Sequence, residues 1–240
     1  MSAGMEITMK QTDIINPFQL YMTLEMDGYS QINRTDYGIS HFYEFTIHDE
    51  KKHCIKAVPD ASIDLLFNIG ENKVSTYISG TVFGVKKWEL GTQDDCFGVR
   101  FQPGQGILPK DITMEMIVND DIEIDGDIFG KNLTEKIALA KTMSERIDIF
   151  KKAYEDIVLG RSSLSDKEKI NEYLVNRISR TKGMITMRQL EDETNYSACY
   201  LRRIFKSFHG ISPKQFAQYI RFQNLLMQAD KEGVRYEQVA

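Results

Sequence analysis

The sequence from residue 186 to residue 228 reads TMRQLEDETNYSACYLRRIFKSFHGISPKQFAQYIRFQNLLMQ and predicts three consecutive helices. In the middle helix, apolar residues recur at i, i+3, i+4 and i+7, the spacing that places side chains on one face of a helix. These residues are Leu201, Ile204, Phe205 and Phe208. The opposite face has the same spacing and contains no acidic residue. It carries Cys199, Arg202, Arg203 and Lys206.

Local sequence signals mark where these helices begin and end. Ser197 stands at the N-cap position of the middle helix, and Gly210 follows its last apolar residue as a C-terminal stop. The upstream helix begins after Thr186, and its turn contains Asn195, which tolerates left-handed backbone. The downstream helix begins at Ser212-Pro213, a cap followed by a first-turn proline.

A short helix with an apolar back and an arginine-rich front, preceded by another short helix, suits insertion into the major groove of DNA. The alternative is that the cationic side chains only solvate an exposed helix face. Three helices with matching caps, a short turn and an acid-free front face favour DNA binding.

The same residues resemble the AraC/XylS-type transcription regulators. The resemblance covers roughly residues 165–240 and rests on Tyr196-Ser197, Tyr200-Leu201, Arg203, Phe205-Lys206, Gly210-Ile211-Ser212-Pro213, Phe216 and Arg221. It implies a C-terminal domain with two helix-turn-helix units joined by a long helix. It further implies base-edge contacts from Cys199, Arg202 and Arg203, and phosphate contacts from Ser197 and Lys206. The implied partners are double-stranded DNA and, for an activator, RNA polymerase.

In that family a second helix-turn-helix would begin near Tyr236, whereas this sequence ends at Ala240. We therefore expect a truncated second unit and weak DNA binding with a shallow salt dependence. We also expect the segment after about Lys231 to be poorly ordered or repacked.

The charge is unevenly distributed along the chain. Residues 161–240 contain 14 Lys and Arg against 9 Asp and Glu, a formal charge of +5. Residues 1–160 contain 16 against 26, a formal charge of −10. This asymmetry indicates two functional parts, of which only the C-terminal one suits a phosphate backbone.

Composition favours a cytoplasmic globular protein. Of the 240 residues, 42% are hydrophobic and 27% are charged. The three cysteines are odd in number and far apart, so they predict neither a disulfide framework nor a zinc pattern. The first residues lack an apolar signal region, and no apolar run approaches the ~20 residues that cross a bilayer. We expect no membrane partner.

The sequence of the N-terminal part predicts short strands separated by turns that contain glycine. The predicted strands are Ser40 to Ile47, Ala61 to Ile69, Val74 to Ile78, Gly80 to Phe83 and Cys96 to Phe101. This density of strands is typical of a β-barrel or sandwich, so the predicted fold class is α+β, with the helices of the C-terminal part forming an all-α domain.

The N-terminal part resembles an uncharacterised domain found on many AraC-type regulators. The resemblance rests on Val58-Pro59-Asp60, Asp64-Leu65-Leu66-Phe67-Asn68 and Val99-Arg100-Phe101 followed by Pro103-Gly104. It implies a cupin-like sensory barrel without naming a ligand. The barrel interior suits a small-molecule effector or a plain packed core. Asp60, Asp64 and Arg100 are the candidate effector-binding residues; the alternative is an internal salt bridge between them.

No enzymatic or metal site is expected. His41, His48 and His53 have a spacing that fits no metal motif, and no catalytic or phosphate-loop motif is present. We therefore predict no catalytic residue, no metal and no cofactor.

Residues 132–160 change to a helical period, with a break near residues 142–144. Such helices could pair two subunits into a homodimer or pack against their own barrel. The predicted organisation is a β-rich sensor domain at 1–130, a helical connector at 131–160 and a DNA-binding domain at 166–240, after a polar linker.

Together these features predict a DNA-binding transcription regulator controlled by an effector or by dimerisation through its N-terminal domain. The alternatives are a ligand-independent dimerisation module fused to a helix-turn-helix and a cupin-like metalloenzyme.

Overall fold

The structure is a computed structural model that describes residues 17–19, 28–46, 54–71, 73–89, 95–160 and 164–232. These residues divide into two compact units. One lies within Gln19–Ser163, and the other contains the residues from Leu164 onward together with Pro17 and Phe18. The first unit holds an antiparallel sheet with helices and the second is helical, so the α+β fold class is confirmed.

The first unit contains eight described strands. They are β1 (Ser30–Asn33), β2 (Ile39–Thr46), β3 (Cys54–Ala57), β4 (Asp64–Ile69), β5 (Val74–Ser79), β6 (Lys86–Glu89), β7 (Asp95–Phe101) and β8 (Asp121–Ile124). Six of them form one antiparallel sheet in the order β1-β2-β7-β4-β5-β8, and β3 pairs with β6 in a second, two-stranded sheet.

Strand β7 is central, because it pairs with β2 on one side and β4 on the other. Its side chains alternate between the two sheet faces, as the pleat requires. Phe97 and Val99 lie on the face that joins the main apolar core. Gly98 lies on the other face opposite Tyr43, and a Cβ at Gly98 would stand 2.0 Å from the Tyr43 ring. Only glycine therefore fits under that ring.

The predicted strands are recovered with three differences. The sequence predicts a β-barrel or sandwich, and the large sheet is not a closed barrel in the described part of the chain, since β1 and β8 lie at its edges. The predicted strand Gly80 to Phe83 is wrong: this segment forms a loop whose Gly80 N–H donates to the carbonyl of Ile117. The four-residue strands β1, β3, β6 and β8 were not predicted, because so short a run carries little alternation.

Seven α-helices are described, three in the first unit and four in the second. They are α1 (Met114–Ile117), α2 (Leu133–Leu139), α3 (Met143–Leu159), α4 (Asp166–Arg180), α5 (Met187–Thr194), α6 (Ala198–His209) and α7 (Pro213–Lys231). The predicted break at residues 142–144 is where α3 begins, with Thr142 as its N-cap. None of the described helices combines the length and apolar character that crossing a membrane requires.

Helices α2 and α3 pack on the core face of the sheet. The Phe150 ring of α3 lies 5.9 Å from the ring of Phe42 and 6.3 Å from that of Phe67, between centroids. Ile137 of α2 is fully buried in the same cluster. The expected packing of this segment against its own sheet is therefore confirmed. The pairing of two subunits through these helices stays a prediction.

The second unit buries the apolar face predicted for α6. Leu201, Ile204 and Phe205 are buried, and the Phe205 ring packs against Phe216 of α7 at 5.2 Å. Phe208 is only half-buried, which corrects the prediction. The adjacent His209 is buried instead, with its ring 4.3 Å from Phe205.

Candidate functional site

Helix α6 is bounded as its sequence predicts. The Ser197 hydroxyl accepts a hydrogen bond from the Tyr200 N–H at 3.3 Å, which satisfies one of the unpaired N–H groups of the first turn. Gly210 ends the helix in left-handed conformation, with φ of 66°. The preceding helix α5 ends at Asn195, whose φ of 57° forms the tight turn between the two helices.

The opposite face of α6 carries the predicted base-contacting side chains. Cys199, Arg202, Arg203 and Lys206 are all exposed, and together we call them the cationic face. Ser197, the fifth predicted residue, is exposed at the start of the helix. Helix α6 itself contains no Asp or Glu, so every charged side chain on this face is cationic.

One acidic neighbour of α6 was missed by the sequence analysis. The carboxylate of Glu191, on α5, accepts a hydrogen bond from the Ala198 N–H at 2.5 Å. A carboxylate at this position interacts favourably with the positive end of the helix dipole. It also places a negative charge at the end of α6 where Ser197 was predicted to approach phosphate.

An ion pair holds α5 against α4. The Arg177 guanidinium donates through Nε to Glu193 Oε2 at 2.7 Å and makes a second, shorter bond to Oε1. Tyr173 donates to the same carboxylate at 2.8 Å. The hydrogen bond from Arg177 lowers the pKa of Glu193, so the pair stays charged at neutral pH.

His209, the last residue of α6, lies on the buried side of the helix rather than on its cationic face. Its Nε2 is 2.8 Å from the side-chain oxygen of Asn171. Burial lowers the pKa of His209 to about 3, so the imidazole is neutral and adds no charge to the site.

The predicted effector residues come together in the sheet unit. Register pairs Asp64 of β4 directly with Arg100 of β7. The Arg100 guanidinium bonds the Asp64 carboxylate through Nη2, and the same nitrogen lies 3.4 Å from Asp60 Oδ2. Arg100 is 5% exposed and Asp60 is 2% exposed. The predicted internal salt bridge is therefore confirmed; effector binding by these residues remains a prediction.

Other polar groups surround this buried cluster of Asp60, Asp64 and Arg100. The Tyr43 hydroxyl donates to Asp64 Oδ1 at 3.1 Å. Gln19 Nε2 donates to Asp60 Oδ2 at 2.8 Å. Gln19 and Tyr43 were missed by the sequence analysis, since neither sits in a motif that marks it as polar and buried.

Burial perturbs the titration of several of these groups. It raises the pKa of Asp64 to about 6, because lost hydration outweighs the attraction of Arg100. Burial, followed by the charge of Arg100, lowers the pKa of His41 to about 3. Burial also raises the pKa of Tyr29 to about 12. Perturbed titratable groups concentrated in one place are typical of functional sites, although structural ion pairs produce them as well.

The Arg100 side chain has two nitrogens whose hydrogen-bonding capacity is unused within the described part of the chain. Its Nε and Nη1 are buried, and no acceptor for them lies among the residues that the structure describes. An unpaired buried donor is costly, so these two nitrogens are the positions in the cluster where an added acceptor would be most favourable.

A surface groove of about 440 Å³ lies elsewhere on this unit, between β8 and α2. Its rim is acidic, but Glu123 pairs with Lys73, and Asp127 accepts from the backbone of Asn132 and Thr134. The predicted effector residues do not line it. Within the described ranges, no three His, Cys, Asp or Glu side chains are placed to hold a metal ion. His48 and His53 fall outside those ranges.

Comparison with known protein families gives a match to part of the sheet unit. A family model described as a domain of unknown function, DUF6597, matches residues 37–123. The match contains Asp60, Asp64 and Arg100 and does not reach α4–α7. No curated protein and no solved structure matches the chain.

Proposed function

We propose that this chain is a sequence-specific DNA-binding transcription regulator of the AraC/XylS type. In this proposal α5 and α6 form a helix-turn-helix, and α6 enters the major groove. The observation that carries the proposal is the cationic face of α6: four exposed side chains on one side of a capped helix whose other side is buried.

The chemistry of the face suits base readout. Arginine bonds guanine O6 and N7 in bidentate fashion, which assigns this role to Arg202 and Arg203. Lys206 and Ser197 would bond phosphates, which set affinity and register without reading sequence. Cys199 offers only an apolar contact.

The sheet unit would be the cupin-like sensor, with the buried Asp60–Asp64–Arg100 cluster as the place where an effector acts. The two unpaired nitrogen donors of Arg100, Nε and Nη1, favour an effector that presents oxygen acceptors, such as a small carboxylate. Binding would shift the population between forms of the protein that differ in DNA affinity. Homodimerisation, contact with RNA polymerase and a cytoplasmic location belong to the same proposal.

DNA binding is tested by selecting duplexes from a random-sequence pool with the 240-residue chain. Replacing Arg202 or Arg203 with Ala should cost about 1–3 kcal/mol at the selected site and relax discrimination at one base pair. Replacing Lys206 with Ala should weaken binding uniformly and reduce the salt slope by about 1. Lys167→Ala, an exposed cation on α4, is the matched control for charge.

The proposal fails if the Arg202 and Arg203 variants bind the selected and random duplexes as the parent does. The sensor role is tested separately by a thermal-shift screen of small carboxylates against the parent and Arg100→Lys. A tight effector raises the melting temperature of the parent by mass action and acts less on the variant. No shift with any acid, alongside a dimer in solution, would favour a dimerisation module instead.

A further inference from the structure

We infer that Tyr200 is a positioning residue that holds the Arg203 guanidinium in place for base readout, so that Arg203 is the more selective of the two arginines. This inference rests on the proposed function and names the side chain that sets its specificity. It is carried by the aromatic contacts at the start of α6.

Tyr200 lies one helical turn before Arg203, at the i, i+3 spacing that brings side chains together. The Arg203 Cζ stands 5.5 Å from the centroid of the Tyr200 ring, within the range of a cation–π contact. The Tyr200 ring also packs against the ring of Tyr196, with 5.1 Å between centroids. The guanidinium thus lies over a ring that has an aromatic contact of its own.

Arg202 is the natural comparison, since it is exposed on the same cationic face. No ring of the residues described by the structure lies over it. A free arginine loses rotamer freedom when it bonds a base, and a preorganised one loses less. The two neighbouring arginines therefore differ in the conformational entropy that each loses on binding a base. The base pair read by Arg203 should be discriminated more strictly than the one read by Arg202.

The cation–π contact needs the ring and not the hydroxyl, which gives a matched pair of variants. Tyr200→Phe keeps the aromatic face, whereas Tyr200→Leu removes it at similar volume. At the duplex selected with the full chain, we expect Tyr200→Leu to weaken binding by about 2- to 5-fold, the size of an exposed cation–π contact. Tyr200→Phe should bind as the parent does.

A double-mutant cycle separates positioning from a contact that Tyr200 makes directly. In an Arg203→Ala background, Tyr200→Leu should cause no further loss, because its effect acts through Arg203. In an Arg202→Ala background, the full 2- to 5-fold loss should persist. An undiminished loss in the Arg203→Ala background, or a loss with Tyr200→Phe equal to that with Tyr200→Leu, would overturn the inference.

A measurement without DNA distinguishes this inference from the proposed function. Nuclear relaxation of the Arg203 Nε–Hε group should report a more ordered side chain in the parent and in Tyr200→Phe than in Tyr200→Leu. Equal order in all three overturns the positioning contact, whatever the DNA titrations give. Ordered Arg203 with no enriched duplex in the selection overturns the proposed function and leaves the contact standing.

Discussion

Arg100 is a charged side chain buried in the sheet unit. Its charge is taken out of water, and Asp60 and Asp64 provide the compensation that makes such burial tolerable. The apolar neighbours Val99 and Phe101 on the same strand indicate burial from sequence. The identity of its partner depends on register, since Asp64 precedes Arg100 by 36 positions and meets it across two paired strands.

The raised pKa of Asp64 predicts a pH-dependent stability. Its folded-state pKa of about 6 lies above the ordinary 3.8, so the native state binds a proton that the unfolded state releases. The resulting contribution to the free energy of unfolding is fully present below about pH 4 and is lost as the pH rises through about 6. Between pH 4 and 7, urea unfolding should record a decrease of about 1–3 kcal/mol that is absent in Asp64→Asn.

The difference in unfolding free energy between the parent and Asp64→Asn, followed against pH, isolates the titration of Asp64 from that of other groups. Asp111→Asn changes the same chemical group at an exposed position and should keep the pH profile of the parent. Parallel profiles for the parent and Asp64→Asn would refute the assignment of a raised pKa to Asp64.

At the scale of secondary structure, the start of α6 combines two requirements that oppose each other. Stability favours negative charge at a helix N-terminus, and Glu191 supplies it through the Ala198 N–H. DNA binding favours the absence of negative charge at the same place, since the ligand is a polyanion.

Exchanging Glu191 for Gln should therefore move stability and DNA affinity in opposite directions. The amide oxygen can still accept from Ala198, but the interaction with the helix dipole is lost, at about 0.3–1 kcal/mol of stability. Affinity for the selected duplex should rise, most clearly at low salt. Thermal unfolding and a salt titration of binding measure the two effects.

Asp192→Asn removes the same charge from an exposed neighbour. It should raise DNA affinity less than Glu191→Gln and leave stability unchanged. A Glu191→Gln protein that is as stable as the parent and binds no tighter would contradict the role assigned to this carboxylate.

At the scale of the whole molecule, each of the two units has an apolar core among its described residues. Phe150 is fully buried between α3 and the sheet in one unit, and Phe205 is fully buried between α6 and α7 in the other. A unit with its own core can unfold cooperatively on its own.

We expect unfolding in two transitions that respond to different substitutions. Phe150→Ala should lower one transition and Phe205→Ala the other, each by about 3–5 kcal/mol. Calorimetry of the full chain measures both. The exposed residues Ile128 and Leu225 provide controls, since Ala at either should leave both transitions near those of the parent. A single transition lowered by both core substitutions would mean that the units unfold together.

Much of the helical unit followed from short stretches of residues. The starts of α6 and α7 were predicted from Ser197 and Ser212, and each serine accepts the expected N-cap hydrogen bond. A cap depends on residues within about one turn, so local sequence contains the information that specifies it. The cationic face of α6 is likewise specified by residues that lie close together in the sequence.

The arrangement of the sheet could not be read in this way. The openness of the sheet depends on neighbours that are distant in sequence. The same holds for the pairing of the short strands β1, β3, β6 and β8, and for the burial of His209 in place of Phe208. Asp60, Asp64 and Arg100 were picked out one by one, but their meeting at one point required the register of β4 on β7. Local hydrogen bonds and periodicity are properties of a few consecutive residues. Register and burial arise only when distant segments exclude water from one another, and for that reason the three-dimensional structure was needed to locate them.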